Sequence, residues 1–289
     1  MGNVSQSPAD LVINPRNVML GRGLRWQRWW KDGDPVATAF YNSLSAVFPE
    51  GEAFFIESVR HYRDSVPPAL RPQIDAFIKQ EAVHSREHAY FNRQIRDAGY
   101  DTAAIDAHLS QWRAEAKSDP PEVNLAITVA TEHLTAIIAH AFLSKSHRHF
   151  KHDSQDSARL WKWHAIEEIE HKGVAYDTFL AVTHDLSRFD RWRFRSVVLL
   201  LVSRDFVSER VRFMRQFFAQ DGIDKPAIWL RTFWYLLIYP GMLRQILPAW
   251  LAFFRPNFHP WQHDDRALIA KTEAALSLRT VGQQVTPGA

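Results

Sequence analysis

Apolar side chains recur along this chain at three- and four-residue intervals, in runs far longer than a strand, and prolines and glycines separate the runs. That period puts them on one face of a helix. Asp34-Pro35 reads as a helix start, a capping carboxylate followed by proline at the first helical position. The helix that follows reaches about Val47. Pro49 is expected to interrupt it, and a helix resumes through Glu52, Phe55, Val59 and Tyr62. Ser65-Val66-Pro67-Pro68 ends that element, and a second helix is predicted over 69–98, with Gly99 as its stop. A short helix over 102–116 bridges to Ser118-Asp119-Pro120-Pro121, another cap-plus-proline start. A third long helix then runs to about Phe150, residues 151–154 turn the chain, and a fourth covers 155–184.

The expected fold is therefore all-α. Four long helices within 50–184, joined by two short turns and one longer connection, have the chain plan of a ferritin-like four-helix bundle. The organisation expected is an irregular lead-in over 1–33, the bundle over 34–184, a helical extension over 185–280 and a disordered tail over 281–289. The extension holds Trp229, Phe233, Trp234, Tyr235, Trp250, Phe253 and Phe254 among Arg231, Arg244 and Arg255. Its longest charge-free run, 232–243, is well short of the roughly 20 residues needed to span a bilayer. It is expected either to pack on the bundle or to lie at a membrane surface as a monotopic contact.

The polar residues inside this plan carry the chemistry. Glu81 and His84 stand three apart on the second helix and share a face. The fourth helix repeats the pattern as His164-x-x-x-Glu168-x-x-His171. The first and third helices should each add one carboxylate, and height decides which. Glu52 lies 15 residues before Pro67 and Glu81 14 after it, so an antiparallel hairpin sets them level. Glu132 lies 20 residues before His152, against 16 and 19 after it for Glu168 and His171. At about 1.5 Å per residue the mismatch is at most about 6 Å, whereas Glu122 misses by roughly 20 Å. Height alone leaves Glu50 and Glu57 open, and His88, one turn beyond His84, stands as an alternative or supporting ligand. The predicted ligand set is Glu52, Glu81, His84, Glu132, His164, Glu168 and His171, holding two metal ions. Four carboxylates balance two divalent cations, and a mixed carboxylate–imidazole set suits iron, or manganese, better than a closed zinc site. Glu87, Glu167 and Glu170 are expected to be solvated or to support the ligands; His133, His140, His147 and His149 are expected on solvated or packing faces.

Composition narrows the alternatives. The chain has no cysteine among its 289 residues, which excludes disulfides, zinc ribbons and thiol catalysis. A formal charge of +3, without a dense basic run, argues against nucleic acid. The start MGNVSQSPAD lacks the pattern of a signal peptide, and the expected location is cytoplasmic, extending to the inner face of the membrane.

The segments FPEGEAFFIESVRHYRD, FIKQEAVHSREHAYFN, TEHLTAIIAH and WKWHAIEEIEHKGVAYD resemble a bacterial family labelled "predicted metal-dependent hydrolase", and the resemblance extends to Phe258-His259-Pro260-Trp261. The ligand pattern alone is similar to that of the di-iron arylamine N-oxygenases, which use single Glu, Glu-x-x-His, single Glu and His-x-x-x-Glu-x-x-His. Here those positions are Glu52, Glu81 and His84, Glu132, and His164, Glu168 and His171. Outside the ligands the likeness ends, so the substrate class of those enzymes does not carry over. The leading expectation is a di-iron oxidoreductase that uses O2 to hydroxylate, desaturate or N-oxygenate a small molecule of lipid or fatty-acyl character. It would need an electron donor, and a homodimer is a possible assembly. A dinuclear metal-dependent hydrolase is the alternative, and metal storage a non-catalytic third.

Overall fold

A computed structural model describes residues 7–8, 10–20, 22, 26–151 and 155–276, with the backbone alone at 155 and 156. Its regular elements are helical, with no strand among the described residues. The expected tail over 281–289 and most of the 151–154 turn lie outside these residues.

The first helix, α1, runs Pro35–His61, and the Asp34 carboxylate accepts from the amides of Val36 and Ala37 as the sequence suggests. The expected interruption at Pro49 does not occur, and α1 is continuous through it. A proline cannot donate to the carbonyl four residues back, which here is Ser45. The Asn92 side-chain amide donates to that carbonyl instead, at 3.1 Å, so the gap in the ladder is filled from the neighbouring helix. This neighbour, α2 (Arg71–Asp97), packs along α1 as an antiparallel hairpin. α3 (Ala103–Ala116) crosses to α4 (Pro121–Ser144). The start of α4 has its proline but no capping side chain, against expectation.

α4 is long and apolar enough to cross a membrane by length and composition, with a mean hydropathy of 1.4, yet 78% of that stretch is buried inside the protein. It is the central helix, packed against α1, α6, α8 and α10. It stops at Ser144, and one turn, α5 (Ser146–His149), follows where the sequence suggested continuous helix. The expected fourth helix is also divided, into α6 (Gln155–Glu170) and α7 (Val174–Val182). The break contains Gly173. A Cβ there would stand 2.7 Å from Ser7 Oγ and 2.9 Å from Trp261, so the close packing of lead-in and C-terminal segment requires glycine.

The extension is α8 (Arg188–Gln220), α9 (Pro226–Leu237), α10 (Met242–Ala252), a 3₁₀ turn at Pro260–Gln262 and α11 (Arg266–Leu276). α8 lies along α1 and α4, α9 on α1, α10 on α4 and α11 on α6. Gly241 turns α9 into α10 at φ +77°, where a Cβ would meet the Ile238 carbonyl at 2.6 Å. The inner faces pack on the bundle. The outer faces leave Leu200, Leu230, Phe233, Trp234, Leu247 and Leu251 at least half exposed. The lead-in, read as irregular, does structural work between 11 and 20: Ile13 and Arg16 are buried against α2 and α6.

Candidate metal centre

Glu52 stands on α1, Glu81 and His84 on α2, Glu132 on α4, and His164 and Glu168 on α6, with His171 one residue past its end. Their spacing turns all of them inward, and none is more than 4% exposed. The structure brings all seven together. Ligand atoms of Glu52, His84 and His164 fall within 4.8 Å of one another, as do those of Glu81, Glu132 and His171. A third group, Glu81, His84 and Glu168, joins the two. Glu81 and His84 are the members that this third group shares with the other two, and each of the three groups could hold a metal ion.

The donor atoms are close without satisfying one another. His84 Nδ1 is 3.5 Å from Glu168 Oε1 and 3.8 Å from Glu81 Oε2. His171 Nδ1 is 3.3 Å from Glu81, and its Nε2 is 3.4 Å from Glu132 and 3.6 Å from Glu168. His164 Nε2 approaches Glu168 to 3.0 Å, but not at a hydrogen-bonding angle. Both oxygens of Glu52, Glu81 and Glu132, Oε2 of Glu168, Nδ1 of His84, Nε2 of His164 and both nitrogens of His171 are buried and have no hydrogen-bond partner. Buried carboxylates in this condition are costly unless a cation compensates them. Burial, reinforced by neighbouring carboxylates, pushes Glu52 and Glu132 well above the usual range; burial also raises Glu81. Burial would lower His84, but Glu167, Glu168 and Glu81 hold it well above its ordinary value. Burial and the charge of His84 take His164 down to about 4. The protein alone can quiet this site only by taking up protons; divalent cations would meet the orphaned carboxylate oxygens and one nitrogen of each imidazole. The donor set fits a metal pair.

Contacts behind the site fix which nitrogen faces it. His84 Nε2 lies 3.0 Å from Glu167 Oε2 and donates to it, leaving the Nδ1 lone pair inward. Glu167 is held in turn by the backbone amide and guanidinium of Arg16, both at 3.0 Å. Arg16 also grips Glu170 and Glu273. With Nε2 of His164 inward, its Nδ1 donates to His88 Nε2 at 3.0 Å. His88 Nδ1 then donates to Ser45 Oγ at 2.9 Å, and Ser45 Oγ to Asn92 at 2.7 Å. His88 therefore supports a site histidine and is itself kept neutral by burial, well below its usual value.

The remaining candidates lie elsewhere. Glu50 and Glu57 pair with Arg113 near the surface, and Glu122 is exposed. Glu87 is buried and pairs with Arg22 and Arg86. His133 packs on Phe253 and Phe258, and burial lowers it to about 3. His149 packs on Phe142, and His147 is exposed. His140 and His263 meet Asp265, but Lys172 already sits 2.6 Å from that carboxylate. Sequence reasoning missed Arg16, Ser45 and Asn92. Asn92 had a signal, since 84, 88 and 92 continue one polar stripe along α2; Arg16 lies where no period exists to read.

A cavity of about 320 Å³ opens beside the site, at the small end of the roughly 300–1,000 Å³ typical of ligand pockets. α1, α3, α4, α6 and α8 line it with side chains such as Phe48, Phe55, Trp112, Ile138 and Val202, and His164 and Glu168 form part of its wall. The hydroxyls of Thr131 and Thr135 also line it, but each bonds a carbonyl of its own helix.

Neither the curated proteins nor the solved structures gave a match to this chain. A family model does match, over residues 14–264, and its description is "predicted metal-dependent hydrolase". That span contains the seven clustered side chains, Arg16 behind them and the whole cavity wall, and the chain belongs to this family.

Proposed function

We propose that this chain is a metal-dependent enzyme with a ferritin-like core, holding two metal ions on Glu52, Glu81, His84, Glu132, His164, Glu168 and His171. One observation carries the assignment: the buried side-chain atoms without partners concentrate on these seven residues and converge in two joined groups. Single carboxylates from α1 and α4 and Glu-x-x-His from α2 and α6 follow the inward-facing plan of dinuclear carboxylate bundles. Glu52, His84 and His164 would hold one ion and Glu81, Glu132 and His171 the other, with Glu168 beside Glu81 and His84 between the two groups.

For the reaction, we infer oxidation of an apolar group by O2, with iron as the metal. When bound, two redox-active ions supply electrons to O2. Insertion of one oxygen atom into a C–H bond releases the other as water and consumes two electrons and two protons from a separate donor. The chain's own part is to keep bulk water from the reacting carbon with aliphatic and aromatic walls, and to hold the imidazoles in one tautomer through Glu167 and His88. Hydrolysis is the second reading, and the family description supports it directly. Two metals can activate water and clamp a phosphate or ester. The apolar cavity is what favours oxidation: aliphatic and aromatic side chains make up most of its described wall, a lining that suits a C–H-bearing substrate better than a charged hydrolytic transition state.

The test is to load the purified chain anaerobically and count metal, then to follow O2 uptake after ferrous loading. Two metals per chain, lost in Glu81→Ala and His171→Ala, with O2 consumed by the wild type alone, is the expected result. Two metals with no O2 uptake but turnover of phosphate or ester substrates selects the hydrolase. Absence of stoichiometric metal sinks the site.

A further inference from the structure

Arg210 lines the far side of the same cavity, on α8, and is 5% exposed. Its Nε and Nη1 are buried with no hydrogen-bond partner. Nη2 reaches only Glu209, at 3.5 Å, a weak contact, and Glu209 is itself shared with His108 at 3.5 Å. The other charged groups at this end, Arg204 and Asp205, pair with each other at 2.8 Å. Phe206 and Phe213 flank the guanidinium, 5.0 and 5.5 Å from their ring centres. Burial draws Arg210 down to about 10, which still leaves it charged at neutral pH. A buried cation with unused donors in the wall of a largely apolar cavity is a costly arrangement for a purely structural residue.

On α8, Val198, Leu201, Val202, Phe206 and Arg210 form one stripe along the cavity. At about 1.5 Å per residue the stripe extends roughly 18 Å, the shape of an extended chain. We propose that the ligand of this cavity is a long-chain carboxylate, its head group held by the unsatisfied guanidinium of Arg210 and its apolar chain laid along α8 and α4 past His164 and Glu168. Glu209, 3.5 Å from Nη2, already offsets part of this charge, so a monoanion fits better than a dianionic phosphate, which would add a second negative charge beside that carboxylate. This deepens the reading of the site given above, since it names the substrate class that the centre would act on.

Binding of dodecanoate and of 1-dodecanol to the full-length chain, measured by calorimetry without added metal, tests it. The wild type should bind the acid more tightly than the alcohol by about tenfold or more, the worth of a charge-assisted hydrogen bond. Arg210→Met, which keeps an apolar stem of similar length, should erase that preference while leaving alcohol binding within a few-fold. Val202→Trp, which fills the cavity and leaves the guanidinium in place, should lose both ligands. Equal binding of acid and alcohol by the wild type overturns the proposal, as does a preference that survives Arg210→Met, or binding of neither. The metal count is a separate readout. A chain that prefers the acid but holds no stoichiometric metal sinks the metal centre and leaves the head-group site standing; two metals without acid preference do the reverse.

Discussion

At the scale of single residues, the seven inward side chains are positioned by groups that touch no substrate. Glu167 orients His84 and is anchored by Arg16; His88, Ser45 and Asn92 do the same for His164. Partners of this kind typically contribute a factor of about 10–100 in metal affinity. Glu167→Gln, which keeps size and hydrogen bonding but loses the charge that favours the Nε2–H tautomer, should therefore weaken metal binding by about that factor. Competition against a chelator of known affinity measures it, with far-UV circular dichroism to show the fold intact; an unchanged affinity would remove Glu167 from this role. The inward positions were legible in the sequence because helical period and hairpin height fix them. Arg16 was not, because an extended segment carries no period that tells an inward side chain from an outward one.

At the scale of elements, the sequence conveyed the helices better than their breaks. Pro49 signals an interruption by local rules, but the deciding partner, Asn92, lies 43 residues away. That partnership predicts a coupling. Asn92→Leu should destabilise the chain by about 1–3 kcal/mol, the usual cost of a buried carbonyl left unpaired. In a Pro49→Ala background the restored amide can serve Ser45, and the same substitution should cost about 1 kcal/mol less. A double-mutant cycle by urea denaturation reads the difference; strict additivity would show that Asn92 does not stand in for the missing amide. The division of α6 from α7 was hidden for a similar reason. Gly173 alone is a weak stop, and what demands it is the close approach of Trp261 and Ser7, set only once the chain is folded.

At the scale of the molecule, composition predicted an apolar extension without deciding what it covers. The structure shows its inner faces packed on α1 and α4 while Phe233 and Trp234 remain 60% and 59% exposed. We propose that the aromatic side chains beside Arg231 and Arg244 on this outer face serve as an interfacial membrane contact. The chain is expected to co-sediment with anionic phospholipid vesicles, less so at high salt. Phe233→Asp with Trp234→Asp should abolish that without unfolding, since both side chains are largely outside the core. Sedimentation that ignores both salt and the substitutions would count against a surface role for this face.

Of the four helices that bear Glu52, Glu81, Glu132 and Glu168, α1, α4 and α6 also line the cavity, but α8, which bears none of these carboxylates, is needed to complete it. α8 builds much of its wall, with a stripe of side chains remote in sequence from every inward carboxylate and imidazole. Part of the selectivity is thus written on a piece of the chain that carries none of the chemistry. Mutations along one edge of α8 can lengthen, shorten or recharge the cavity while the reactive centre stays as it was. A lineage built this way can diversify what it accepts at little risk to what it does, and a protein engineer can follow the same route one helix at a time.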